Sequence, residues 1–308
     1  MHRTDQTAAI RALRSAAPYI RMYKGKTFVI KAGGGVFGNA ALTQSLIEQI
    51  SILHYMGVRV VMVHGGGPQV TAVSDAMGVK SQMVQGRRVT DEKSIEVTAM
   101  VLNGLINTRI LAICRELDVQ AVGLSGVDAG LVQAHKRKPV KLEGSSELLD
   151  YGLVGDIDRI DTTAIRNLLD DGYLPVISPL SADEHGTLLN INADTVAAAI
   201  GAALSAEKLI LCTGAPGILE RLDDPGSLIS YTDLEGLQRL RESGSISDGM
   251  LPKARAIEHA LKGGVRRVHV VSYAAPEGIL GEVFTNEGTG TLIVDDIDAL
   301  PANEQHLT

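Results

Sequence analysis

A chain of 308 residues, 45% hydrophobic and 21% charged, has room for two ordinary domains or one large α/β fold, and no uninterrupted run in it approaches the ~18 apolar residues of a membrane helix, so a transmembrane protein is excluded. The net charge of −7 and the 3% aromatic content exclude a general nucleic-acid binder, which needs a basic footprint and stacking platforms. Cys114 and Cys212 are too few for a disulfide framework or a Cys/His zinc cluster and are expected in the core, and the first twenty residues lack an apolar signal segment, so the expected address is the cytoplasm.

In chain order, Ile10, Leu13, Ala17 and Ile20 are spaced for one face of a helix over residues 1–22, ahead of the first strand. Thr27 to Ile30 reads as a buried strand, ended by Lys31-Ala32-Gly33-Gly34-Gly35. Leu42, Leu46, Ile47, Ile50 and Leu53 then recur near helical spacing, and Val58 to Val63 is a second buried strand, ended by His64-Gly65-Gly66-Gly67-Pro68. Pro68 can open a helix because its missing N–H would be unpaired there anyway. A long helix is expected from Asp91 to Leu117, a strand over Ala121 to Leu124, polar hairpins to Asp156, and a helix from Thr162 to Leu169 capped by Thr162 or Thr163. Strands at Pro175 to Ile177 and Leu188 to Asn190, an Ala-rich helix from Ala193 to Leu204 and a strand at Lys208 to Leu211 continue the alternation. Helices over Asp233 to Glu242 and Pro252 to Lys262, and strands over Arg267 to Val271 and Thr291 to Val294, complete it. The fold class is therefore α/β, with a mostly parallel central sheet sandwiched by helices. A border near 202–207 divides it into a helix at 1–22, a lobe at 23–203 and a lobe at 204–308.

A glycine-rich turn between strand and helix lets backbone N–H groups approach an anion at the positive end of the helix. Alone, such a turn reads as tight packing; one after each of the first two strands favours an anionic ligand. Neither is a dinucleotide fingerprint or a P-loop. Lys31 stands at the carboxyl end of the first strand, where open α/β sheets bind ligands. Lys253 falls in the first turn of a helix, where the dipole disfavours a cation, so an anion nearby is expected. Asp194 reads as a helix-start residue, Arg87-Arg88 as a surface basic pair, His64 as a packed histidine and His135 to Lys138 as a solvated hairpin, with anion steering as the alternative.

Taken together and in order, Lys31 with Gly33-Gly34, His64 to Pro68, Gly86 to Thr90, Asn190 to Asp194 and Asp248 to Lys253 resemble the amino acid kinase family, and within it the acetylglutamate kinase branch, over about residues 24 to 295. The resemblance implies an amino acid kinase-like fold with a substrate lobe at 23–203 and a nucleotide lobe at 204–308. It implies ATP-dependent phosphorylation of the side-chain carboxylate of N-acetyl-L-glutamate, giving an acyl phosphate in arginine biosynthesis. Lys31 and Lys253 would neutralise the phosphates and Asp194 would hold both lysines; Gly66, Gly67, Arg88 and Asn190 would bind the amino acid. Gly33 and Gly34 would line the transferring phosphate, with Thr213 and Gly217 bordering the nucleotide. Mg²⁺ would arrive on ATP, with no protein metal site. Such chemistry works by positioning and charge neutralisation.

The chain departs from the family at Gly35, where a non-Gly residue is usual, at Gly214, where an Asp is usual, and at position 32, which is usually bulkier. These departures leave two alternatives: an arginine-sensing regulatory protein with little turnover, or a kinase of a related acylated amino acid such as an aminoadipate derivative. Synthases with a kinase-like first half need a following acetyltransferase domain, and the chain stops at Thr308. The helix at 1–22 resembles that of arginine-inhibited members, in which such helices interlace dimers into a hexamer. This implies a homo-oligomer, dimer or hexamer, with an allosteric arginine site at Tyr19, His269, Glu287 and Gly288.

Overall fold

The computed structural model describes residues 3–80, 82–84, 87–141, 148–221, 223–224, 226–246, 250–285 and 288–297. Eight strands, β1 (Thr27–Ala32), β2 (Arg59–His64), β3 (Ala121–Ser125), β4 (Leu174–Ser178), β5 (Lys208–Thr213), β6 (Tyr231–Asp233), β7 (Arg267–Ser272) and β8 (Thr291–Val294), form one sheet in the order β6-β8-β7-β5-β1-β2-β4-β3. Every pairing is parallel except β7 with β8. The central strands are buried on both faces, so they read as unbroken apolar runs. Period two sends Val29 and Val61 to one side, where Val196, Ile200 and Ile257 meet them. Phe28, Ile30, Val60 and Met62 go to the other, where Leu46, Ile50, Ile106 and Ile110 pack. Helices therefore cover both faces, and removing a side chain such as Ile30 from this sandwich should cost roughly 2–5 kcal/mol.

The elements expected from the sequence are present with ends shifted by one or two residues, for instance helices Ala40–Tyr55, Gly67–Ala76, Ala193–Ala203 and Leu251–Lys262. The polar hairpins are mainly a second, four-stranded sheet built from Val132–Lys136, Gly155–Ile160, Leu180–Ala182 and Leu188–Asn190. Neither threonine caps the helix Thr163–Asp170: Thr162 stands at the cap position without a side-chain bond to the helix backbone. Its hydroxyl accepts from Arg166, and Asp161 accepts the Thr163 N–H instead. The edge strand β6 and the helix Gly278–Phe284 have no counterpart in the expected elements.

The long helix runs over Glu92–Glu116 and, at 25 residues with a mean hydropathy of 1.6 in its most apolar window, is long and apolar enough to cross a bilayer. It carries no long uninterrupted apolar run because Asn103, Asn107, Thr108 and Arg109 break its most apolar stretch. Its buried face, including Val97, Val101, Ile106 and Ile110, packs on the sheet. The segment Met100–Asn107 within it is π-helical. The N-terminal helix Arg3–Tyr23 continues through Pro18. Its last turn is tied down by edge-on ring contacts of Tyr19 with Phe284 and Tyr23 with Phe28, whereas Ile10 and Leu13 remain exposed.

Candidate functional site

Alternation along β1 puts Lys31 on the face of Val29, facing the helix Ala193–Ala203. That helix is capped by Asn192, whose side chain accepts from the Asp194 and Thr195 N–H groups. Asp194 is thereby released from capping, and its carboxylate lies 2.8 Å from Lys31 Nζ and 3.0 and 3.1 Å from Lys253 Nζ. All three side chains are nine-tenths buried. Burial opposes ionisation of Asp194, but the two ammonium groups outweigh it and hold the acid at about 2. Lys253 is pushed down, first by burial and then by Lys31, with Asp194 opposing. The cation in a helix's first turn does have its counter-anion.

A cavity of about 250 Å³ opens beside this cluster, and Lys31, Gly34, Gly66, Gly67, Arg88, Asn190 and Asp194 all reach its wall. The two glycine turns touch: a Cβ on Gly34 would lie 2.8 Å from Pro68 Cδ and 3.0 Å from Gly66 Cα, and one on Gly66 would overlap Ile106 and Leu102. No larger residue fits at either point without moving backbone or core. Arg88 is neither a surface residue nor free: Nη2 donates to Gly67 O at 3.1 Å and to Thr71 Oγ1 at 2.6 Å. Among the described residues its Nη1 is buried without a partner, and the residue lines the cavity, a geometry suited to an incoming carboxylate or carbonyl. Asn190 donates to Thr90 Oγ1 at 3.3 Å. Val70, Leu102 and Val154 supply an apolar wall, which suits a small acyl group.

Gly33 sits behind the cluster, its would-be Cβ 3.8 Å from Lys31 Nζ. Thr213 ends β5, two positions past Leu211, the register partner of Lys31, and its hydroxyl is occupied by the Ala215 N–H and carbonyl. Gly217 is not brought to the cavity: it packs under Leu228 and Thr291. His64 is fully buried; burial pushes its pKa down to about 4, and its ring accepts from Asn107 Nδ2 while Nδ1–H donates to Gly65 O.

Two residues that the sequence reading passed over belong here. Arg137, expected in a solvated hairpin, lines the cavity and is held by a bifurcated hydrogen bond that Nε donates to both Asp156 carboxylate oxygens at 3.0 and 3.1 Å. Gln69 donates to Gly34 O at 2.8 Å, tying the two glycine turns together. The pairing of Arg137 with Asp156 across antiparallel strands has no signal in local spacing.

A second buried cluster lies under the N-terminal helix. Lys208 Nζ donates to His269 Nε2 at 2.9 Å, and His269 Nδ1–H donates to Glu282 Oε1 at 2.7 Å. Burial, helped by Lys208, lowers the His269 pKa to about 4. Glu282 is held at about 2: burial works against its ionisation, and His269 and the N–H groups of Thr289 and Gly290 overcome it. A Cβ on Gly288 would lie 2.9 Å from Glu282 Oε2, and Phe284, on the same helix, touches Tyr19. His269 and Gly288 therefore meet at Glu282, which the sequence reading did not single out, and Tyr19 packs on Phe284 of the same helix. A lone acid in the run Ile279 to Phe284 was its only signal. Glu287 lies outside the described residues, as do Gly86, Asp248 and Gly249.

The amino acid kinase family model matches residues 26–272. An acetylglutamate kinase of Myxococcus xanthus is 47% identical over 295 residues, covering 94% of this chain and 96% of that protein. One of Heliobacterium modesticaldum is 44% identical over 284 residues, 92% of this chain and 96% of the other. Among solved structures, N-acetylglutamate synthase of Neisseria gonorrhoeae, complexed with coenzyme A and N-acetyl-glutamate, superposes with a TM-score of 0.80 at 29% identity. The match covers 93% of this chain and 63% of that one; a second structure of the synthase holds coenzyme A and L-arginine. With the fold, the paired glycine turns and up to 47% identity over nearly the whole length in agreement, the chain belongs to the amino acid kinase family, in its acetylglutamate kinase group.

Proposed function

We propose that this protein transfers the γ-phosphoryl group of ATP to the side-chain carboxylate of N-acetyl-L-glutamate, a step of arginine biosynthesis, in the cytoplasm. The observation that carries the reading is the buried Lys31–Asp194–Lys253 cluster at the edge of a cavity lined by Gly66, Gly67, Arg88 and Asn190. The carboxylate acceptor is ionised at neutral pH, so no general base is needed. One of its oxygens forms the new bond to phosphorus, and the bond from phosphorus to the ADP oxygen breaks. The work left to the protein is orientation and neutralisation of charge on the transferring group. Lys31 and Lys253 supply positive charge, and Asp194 keeps both ammonium groups in place and ionised. Arg88 Nη1 and Asn190 hold the amino acid, with the apolar wall against its acetyl group. Gly33 and Gly34 line the phosphates, and Thr213 borders the nucleotide in the 204–308 lobe.

Among the described residues no three of His, Cys, Asp and Glu gather to hold a metal ion, and the Asp194 carboxylate is engaged by two lysines. Magnesium suits phosphates plus few carboxylates, so it would enter with ATP, where it adds charge neutralisation. The exposed Ile10 and Leu13 support a homo-oligomer in which N-terminal helices pair between copies. In this reading arginine binds near Tyr19, His269 and Gly288, between the N-terminal helix and the 204–308 lobe. Coupled-enzyme measurement of ADP release with and without N-acetyl-L-glutamate, alongside calorimetric titration of arginine, tests the assignment. Acetylglutamate-dependent release is expected; arginine binding without such release would overturn it in favour of a sensor.

A further inference from the structure

Tyr273 follows β7 at the carboxyl edge of the sheet. Its N–H donates to Thr213 O at 2.9 Å, and its ring packs on the apolar layer that contains Ile30 and Val271. The ring is thus held, and its hydroxyl projects between the turn after β1 and the turn after β5. A Cβ on Gly35 would overlap Tyr273 Oη, and one on Gly214 would lie 3.0 Å from it. One hydroxyl fills the volume that side chains at both positions would need. The two glycines are therefore parts of a single arrangement that makes room for a phenol, and the turns have not simply lost two side chains.

Among the described residues Oη has no hydrogen-bond partner. It stands at the ends of β1, β5 and β7, on the side of the sheet where α/β proteins bind ligands. The same turn holds Gly33, which donates to Cys212 O at 3.2 Å and whose would-be Cβ lies 3.8 Å from Lys31 Nζ. A tyrosine fixed at two torsions offers a donor that loses little entropy on binding. We propose that Tyr273 is a nucleotide-contacting residue, its hydroxyl donating to a phosphate oxygen of a nucleoside triphosphate lying between the two turns. This rests on the kinase reading above and adds a donor that none of the residues discussed so far supplies.

The test uses Tyr273→Phe in the full chain, with MgAMP-PNP binding by calorimetry and steady-state KM values for MgATP and N-acetyl-L-glutamate. Loss of one hydrogen bond to a charged group is worth about 10- to 100-fold in affinity. The variant is expected to weaken MgAMP-PNP and to raise KM for MgATP by that factor, with KM for acetylglutamate and Tm near those of the parent. Gly35→Ala is expected to weaken nucleotide binding in the parent and to do so less in the Tyr273→Phe background, where the nearest ring atom is at 3.3 Å. Nucleotide affinity within about twofold of the parent would overturn the proposal, as would equal rises in both KM values with a lowered Tm. A parent that binds MgAMP-PNP but fails to phosphorylate acetylglutamate would overturn the kinase reading alone, because the binding comparison still decides the role of Tyr273. A parent that binds no nucleotide would overturn both.

Discussion

Replacing Asp194 with Asn keeps the shape of the side chain and removes the charge that joins two buried cations. Lys31 Nζ and Lys253 Nζ lie 2.8 and 3.0 Å from Asp194 Oδ1, so they are no more than about 5.8 Å apart, the two distances laid end to end. At an effective dielectric near 20, each lysine gains roughly 6 kcal/mol from the carboxylate, and the two repel by about 3 kcal/mol or more. Without the carboxylate the repulsion adds to the uncompensated burial of the ammonium groups, itself several kcal/mol per ion, and the cheaper outcome is loss of a proton. At pH 7.5, deprotonating a lysine costs about 4 kcal/mol, and Lys253 is already pushed in that direction. Asp194→Asn should therefore lower stability by about 4 kcal/mol, in the range known for broken buried pairs. It should also leave one lysine neutral and reduce kcat by roughly 100- to 1,000-fold, the effect of losing a preorganised electrostatic donor. Because lower pH restores the ammonium, the variant's relative kcat should rise as pH falls from 8.5 to 6.5. Steady-state kinetics across that range, with urea titration for stability, measure both effects. A kcat within about threefold of the parent and an unchanged urea midpoint would refute the reasoning.

Arg88→Ala removes the buried Nη1, which has no partner among the described residues. It should raise KM for the amino-acid substrate about 10- to 100-fold with kcat little changed, and a change confined to kcat would contradict that role. Burial lowers the His64 pKa to about 4 from an ordinary 6.5, so between those values the unfolded chain takes up a proton that the folded chain refuses. The contribution of His64 is then complete above about pH 6.5 and is lost as pH falls toward 4, amounting to roughly 2 kcal/mol between pH 7.5 and 5. Urea titrations of the parent and His64→Gln should show that much less acid sensitivity in the variant; parallel pH dependence would contradict it. Deleting residues 1–20 removes Tyr19 and the exposed Ile10 and Leu13; light scattering should show a larger assembly reduced to dimers, with weaker arginine inhibition and catalysis kept. A full-length dimer whose rate millimolar arginine does not alter would contradict the oligomer reading.

What could be read directly from the residues was what local chemistry encodes. Apolar runs ending in glycines marked β1 and β2, and Lys31 and Lys253 stood out because a cation at a strand end or in a helix's first turn is locally anomalous. Features that depend on distant partners stayed hidden. From its position alone Asp194 reads as a helix-start residue, although Asn192 takes the cap; only the family resemblance assigns it the two lysines. Arg137 belongs to the cavity only because Asp156 on an antiparallel neighbour holds it. Glu282 shows its purpose only once β7 brings His269 beside the helix Gly278–Phe284. Gly35 and Gly214 looked like losses because the tyrosine that fills their space comes from the far end of the chain.

The central claim is that the paired lysines and the adjoining cavity phosphorylate an acylated amino acid at its side-chain carboxylate. Hydroxylamine trapping of the acyl phosphate, with MgATP and a panel of N-acetyl-L-glutamate, N-acetyl-aminoadipate, L-glutamate, L-aspartate and carbamate, measures this directly. Hydroxamate formation is expected to be fastest with N-acetyl-L-glutamate and to be lost in Lys253→Ala. Equal rates across the panel, no hydroxamate from any member, or an undiminished signal in Lys253→Ala would contradict it.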